Sequence, residues 1–126
     1  MGIQRINPDS MSAPIAPYTL VVRKNNVVTT AGMLGLDADG KLVGDDITSQ
    51  TRQTLDNITT ALEAAGASLD DVVKVTVFIT EIANFAGMNE VYIEYFGDTK
   101  PARSTVGVEL ALPGALVEIE ATAVLD

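Results

Sequence analysis

The chain of 126 residues has neither cysteine nor histidine. The first absence excludes a disulfide, a thiol nucleophile and a zinc–thiolate centre. The second removes the commonest general base and metal ligand. It also excludes a serine–histidine–aspartate hydrolase, because nothing is present to activate Ser104. Positive charge is scarce: 8 Lys and Arg stand against 17 Asp and Glu, a net charge of −9. That field repels phosphate backbones and argues against nucleic-acid binding. No apolar run is long enough to span a bilayer, and the first residues lack the basic segment and apolar core of a secretory signal. Neither a phosphate-binding loop nor a dinucleotide fingerprint occurs. No repeat, low-complexity stretch or linker divides the chain. The expectation is one soluble, cytoplasmic domain over residues 1–126, with no metal site and no membrane or nucleic-acid partner.

What is abundant is apolar surface. Hydrophobic residues make up 47% of the chain and charged residues only 20%. A monomer of this size has few charges with which to cover its exterior, so subunit contacts are expected.

Met1 to Pro17 reads as irregular, from the turn chemistry of Asn7-Pro8-Asp9-Ser10 and from Pro14 and Pro17. Tyr18–Arg23 and Val27–Ala31 read as strands joined by a hairpin at Lys24-Asn25-Asn26, since asparagine tolerates positive φ. A short segment follows at Lys41–Val43. Asp46 looks like a helix N-cap. Thr51, Leu55, Ile58, Leu62 and Ala65 form one apolar stripe that Gly66 terminates. Val72–Thr80 is a strand with Val73, Val75, Val77 and Ile79 on one face. Ile82–Phe96 is a second helix with Phe85, Met88, Tyr92 and Phe96 on one side. Pro101 to Glu120 then reads as strand, tight turn at Leu112-Pro113-Gly114-Ala115, and strand. In the last strand, Leu116–Leu125, Val117, Ile119, Ala121, Ala123 and Leu125 oppose Glu118, Glu120 and Thr122. This order predicts an α/β (α+β) fold: a single mixed sheet with both helices on one face.

Two groups carry candidate chemistry. Arg103, at a strand start, can clamp a carboxylate with two parallel hydrogen bonds. The alternative, favoured by spacing alone, is an ion pair with Glu118, Glu120 or Glu109. Glu118 and Glu120 share a strand face, where like charges raise a pKa towards a range useful for moving a proton from water. The alternative is a solvated face or pairing with Lys74. The hairpin reading brings Arg103 towards Glu118. Tyr18, Asn89, Tyr92 and Tyr95 offer neutral hydrogen-bonding groups, Tyr92 being assigned to the core. Gly32 and Gly35 allow a backbone to approach a ligand.

Pro101-Ala102-Arg103-Ser104-Thr105-Val106 and Leu116-Val117-Glu118-Ile119-Glu120-Ala121 together resemble the signature of the RidA (YjgF) family of reactive-intermediate deaminases. Ala16-Pro17-Tyr18, Thr51 to Ile58, Val73 to Ile79 and Phe85 to Phe96 resemble further family segments in the same order. The resemblance implies a chorismate-mutase-like homotrimer, a trimeric barrel with active sites between subunits. It implies hydrolysis of enamines and imines of the 2-aminoacrylate type to 2-oxo acids and ammonia, without a cofactor. Carried over by residue, Arg103 holds the substrate carboxylate and Glu118 positions or activates water. Tyr18, Ala31, Gly32, Asn89 and Thr105 line the pocket. Three positions depart from the pattern: Ala31-Gly32-Met33 stands for Ser-Gly-Gln, Thr105 for a cysteine, and Ala16 for a glycine. These departures motivate an alternative, a small-carboxylate-binding or chaperone-like trimer without turnover. Ribonuclease activity, known in some relatives, is disfavoured by the charge.

Overall fold

The computed structural model describes residues 2–126, so Met1 lies outside the described residues. Its strands are β1 (Gln4–Ile6), β2 (Val21–Lys24), β3 (Val27–Thr30), β4 (Val72–Ile79), β5 (Ala102–Gly107) and β6 (Val117–Val124). They form one mixed sheet in the order β1-β2-β3-β6-β4-β5. Only β4 and β5 run parallel. Their connection carries α2 (Phe85–Phe96), because parallel neighbours need a crossover rather than a tight turn. The other helix, α1 (Ile47–Ala64), precedes β4.

Local chemistry sets the helix ends. Asp46 caps α1 through its carboxylate, which accepts the Ser49 N–H at 2.8 Å. That bond lowers the Asp46 pKa. Gly66, at φ 86°, ends the helix in a conformation that favours glycine. Thr51, Leu55, Ile58 and Leu62 are all fully buried, as the stripe predicts. Both helices lie against one face of the sheet, where Val75, Val77, Ile79, Val117, Ile119 and Ala121 join Leu55, Ile58, Leu62, Met88 and Val91 in the core.

Six expectations are corrected. Residues 4–6 are not irregular: they form β1, paired with β2. The strand expected from Tyr18 begins at Val21, where ladder pairing starts, and Lys41–Val43 gives only an isolated bridge between Leu36 and Leu42. The helix expected from Ile82 opens with a 3-10 turn at Ile82–Asn84. Val73 is exposed and Val72 buried, because the register with β6 shifts between Val72 and Lys74. An extra residue there reverses the alternation. Finally, β5 and β6 are not a hairpin. The segment between residues 108 and 116 carries the chain past β4, which lies between them.

Gln50 ties that segment down. It is fully buried, donates through Nε2 to the Gly44 and Gly114 carbonyls at 2.8 and 3.0 Å, and accepts the Leu116 N–H through Oε1 at 2.8 Å. Replacing it with leucine strands one backbone donor and two acceptors. Gln50→Leu is expected to lose about 2–4 kcal/mol of stability, read as a lower urea midpoint with an unchanged slope. An unchanged midpoint would show that water replaces all three bonds.

Candidate functional site

The alternation of side chains along β4 divides the nominated residues between the two faces of the sheet. Arg103 pairs with Val75 and Thr105 with Val77, whose side chains are buried beneath the helices. Glu118 pairs with Phe78 and Glu120 with Thr76, on the face the helices leave open. The expectation that a hairpin brings Arg103 towards Glu118 is therefore corrected. One strand separates them and the sheet backbone lies between their side chains.

On the helix side, the Arg103 guanidinium lies over two rings of α2. Its carbon is 4.7 Å from the Tyr92 ring centroid and 5.7 Å from that of Phe85. Asn89 sits between them at helical spacing, four residues after Phe85 and three before Tyr92, so it shares their strip. The Thr105 hydroxyl is buried and takes no hydrogen bond. The Tyr92 hydroxyl is in the same position. Burial raises its pKa, and Arg103 is close enough to oppose that rise without forming a hydrogen bond of good geometry. Among the described residues Arg103 has no acidic partner. The ion pair present joins Arg52 to Glu94, at 3.1 Å. The structural ion pair favoured by spacing is thus absent.

On the open side, a groove of about 890 Å³ is lined by Tyr18, Ala31, Gly32 and Glu118, with Ile15 and Leu112 among its apolar walls. Glu118 is half-buried, and burial is the main cause of its raised pKa, with the Glu120 charge second. The like-charge effect expected from spacing is present but is the smaller one. Lys74 does not pair with either glutamate; its Nζ donates to Ser104 Oγ at 3.0 Å. A side chain at position 32 would collide with Glu118, since a Cβ there falls 2.5 Å from Oε2. Glycine is what lets the carboxylate lie flat against the strand end. A smaller cavity, about 270 Å³, beside Asp37, Asp56 and Thr60 contains none of the nominated residues.

Sequence reasoning missed Ile15 and Leu112 in the groove and the placing of the Tyr92 ring beneath Arg103. The signal for Tyr92 was available: it stands seven residues after Phe85, two turns along one helix face. Among the described residues no group of three acidic, cysteine or histidine side chains is arranged to hold a metal. No described helix is long and apolar enough to cross a membrane.

A mixed six-stranded sheet under two helices carries an arginine without an acidic partner among the described residues on one face and a carboxylate of raised pKa on the other, the outline of a small single-sheet α+β protein. The sequence profile described as Endoribonuclease L-PSP matches residues 9–125. A RutC family protein of Pyrococcus horikoshii is 50% identical over 111 residues, covering 87% of this chain and 88% of that protein. Reactive Intermediate Deaminase A, chloroplastic, of Arabidopsis thaliana is 37% identical over 121 residues, covering 95% of this chain and 65% of that protein. The structure of Escherichia coli TdcF with bound serine superposes with a TM-score of 0.91 at 34% identity, covering 98% of this chain and 99% of that one. The chain belongs to the RidA (YjgF) family, whose sequence profile carries the L-PSP description.

The half-buried carboxylate gives a pH prediction. The folded-state pKa of Glu118 is raised above its ordinary value of 4.5. Its contribution to stability is therefore full below that ordinary value and is lost as pH rises through the folded-state pKa. Glu118→Gln, neutral at every pH, is expected to be more stable than the parent near neutrality. The advantage should vanish in acid below 4.5. Urea unfolding at the two pH values measures this, and a variant less stable at neutral pH contradicts it.

Proposed function

We propose that this chain is a reactive-intermediate deaminase that hydrolyses small enamines or imines bearing a carboxylate, of the 2-aminoacrylate type, to 2-oxo acids and ammonia. The observation that carries this reading is Arg103: a half-buried guanidinium with no acidic partner among the described residues, its donors uncommitted. Leaving such a cation unpaired is costly unless a ligand anion completes it.

In this reading Arg103 binds the substrate carboxylate. Enamine substrates first take a proton at the β carbon and become imines. Water then adds to the imine carbon, a proton passes to nitrogen, and the C–N bond breaks to release ammonia and leave the 2-oxo acid. Glu118, whose pKa burial raises above its ordinary value, moves these protons. Tyr18, Ala31, Gly32, Asn89 and Thr105 line the pocket. An imine is already electrophilic, so orientation and modest proton transfer suffice. That suits a chain with no histidine or cysteine. The serine bound to TdcF is likewise a small molecule with a carboxylate. The departures at Ala31 and Met33 bear on which imine is preferred.

The site is assembled from two chains. Arg103, Asn89 and Thr105 lie on one face of the sheet, while Tyr18, Ala31, Gly32 and Glu118 line the groove on the other. One small substrate reaches both sets only where the arginine side of one copy meets the glutamate side of another. A homotrimer with its sites between subunits satisfies this. It also covers Val27, Val106 and Val124, which lie on the open face of the sheet, each about 40% exposed.

Arg103→Ala is expected to abolish 2-oxo acid release from imines generated by an amino-acid oxidase, a loss of at least about 100-fold, because two charge-assisted hydrogen bonds disappear. Co-refolded Arg103→Ala and Glu118→Gln chains, each inactive alone, should recover part of the turnover, since some interfaces then pair an intact Arg103 with an intact Glu118. Undiminished release by Arg103→Ala would overturn the assignment. Failure of mixed oligomers to recover would place both residues in a single-chain site.

A further inference from the structure

The two rings near Arg103 are not equivalent. Phe85 is 44% exposed and 5.7 Å away. Tyr92 is half-buried, 4.7 Å away, and backed by Phe96, whose ring centroid lies 4.6 Å from its own at a 32° tilt. Phe96 is itself buried in the core. The stack guanidinium–Tyr92–Phe96 therefore runs from the ligand-facing arginine to the packed interior. The tyrosine hydroxyl makes no hydrogen bond. Tyr95, three residues on, shows what a tyrosine held for its hydroxyl does in this helix: its Oη donates to Asp56 Oδ1 at 2.7 Å and meets the Arg52 carbonyl at 3.1 Å.

We infer that Tyr92 is a positioning residue for Arg103, acting through the face of its ring and not through its hydroxyl. The inference rests on the proposed deaminase reading only for the identity of the anion; the orientation of the guanidinium is independent of it. The physical reason is a choice between two ways of holding a cation. A carboxylate would fix Arg103 but would occupy the in-plane N–H donors that a substrate needs. An aromatic face attracts the guanidinium through its quadrupole from above the plane and leaves those donors free. With 17 acids against 8 bases, the chain still pairs none of the described acids with this arginine and offers it rings instead. The nearby Thr105 hydroxyl, buried and unpartnered on the same face of β5, imposes no competing direction.

The test compares Tyr92→Phe with Tyr92→Leu in the full chain, using two readouts. The first is the Arg103 side-chain Nε–H resonance, assigned by its loss in Arg103→Lys. It should be ring-shifted in the parent and in Tyr92→Phe, and should move to the position of a free guanidinium in Tyr92→Leu. The second is turnover of an oxidase-generated imine. Tyr92→Leu should raise KM about 5- to 30-fold with little change in kcat, the range a partly desolvated cation–π contact supports. Tyr92→Phe should restore the parent value, and Tyr92→Leu should add nothing in an Arg103→Ala background. Should the leucine variant fail to fold, Tyr92→Met, apolar and unbranched, takes its place. A resonance that stays at its parent position in the leucine or methionine variant overturns the inference, as does a phenylalanine variant as impaired as the leucine one. If the parent itself shows no turnover, the deaminase reading fails alone and the resonance still decides the role of Tyr92.

Discussion

Strand β4 pairs in parallel with β5 on one side and antiparallel with β6 on the other. Side chains alternate along it, so each of its residues assigns a partner on either side to one face of the sheet. Val75 and Val77 point into the helices and take Arg103 and Thr105 with them. Thr76 and Phe78 point the other way and take Glu120 and Glu118. A one-residue slip in either ladder would exchange core and open-face residues along a whole strand. The buried row Val117, Ile119, Ala121 and Ala123 makes such a slip costly, because the glutamates between them would enter the core. Packing of a hydrophobic row thus fixes where the chemistry points.

Much of this was legible in the residues, and the failures are instructive. The periodicity at Thr51, Leu55, Ile58 and Leu62 gave α1 and its buried stripe, and Asp46 and Gly66 marked its ends, because each signal is local. The faces of β6 were read correctly for the same reason. Strand order was not legible. Leu112-Pro113-Gly114 is genuine turn chemistry, yet the chain between β5 and β6 uses it inside a loop that clears β4. Nothing in residues 101–120 records that a strand from residue 72 lies between them; that is a non-local fact of pairing. The bulge at Val72–Lys74 was hidden likewise, since four alternating valines and an isoleucine read as one regular row. Of the candidate site, Arg103 and Glu118 were singled out from the residues and given their roles by the family resemblance, while spacing alone favoured ion pairs that are absent among the described residues.

Both charged residues stand in conditions that a stability-minded fold would avoid. Glu118 is held half out of water with another carboxylate on the same face. Arg103 sits on rings with no counter-charge among the described residues. Elsewhere the chain does satisfy such groups: Gln50 makes three bonds where it is buried, Asp46 caps a helix, and Arg52 meets Glu94. Apart from the Thr51 hydroxyl on α1, the buried unpartnered hydroxyls, those of Tyr92 and Thr105, lie on the same side of the sheet as Arg103, the pattern expected if the proposed site is held ready in advance.

That concentration also answers an apparent objection, that a chain of net charge −9 should repel an anionic substrate. Long-range repulsion is weak in the cell, since screening reduces it beyond about 8 Å at physiological salt. What decides binding is the field within a few ångströms of the carboxylate, where Arg103 is partly desolvated and no acid on its own face of β5 opposes it. The sheet helps by geometry: the two glutamates of β6 are projected to the opposite side, so within one chain their field does not cancel the arginine's. In the proposed assembly of copies, the arginine of one chain would meet the glutamate of another at the place where the substrate lies. In the proposed reading an acidic chain can hold an acid because side-chain alternation has sorted its charges onto opposite faces of the sheet.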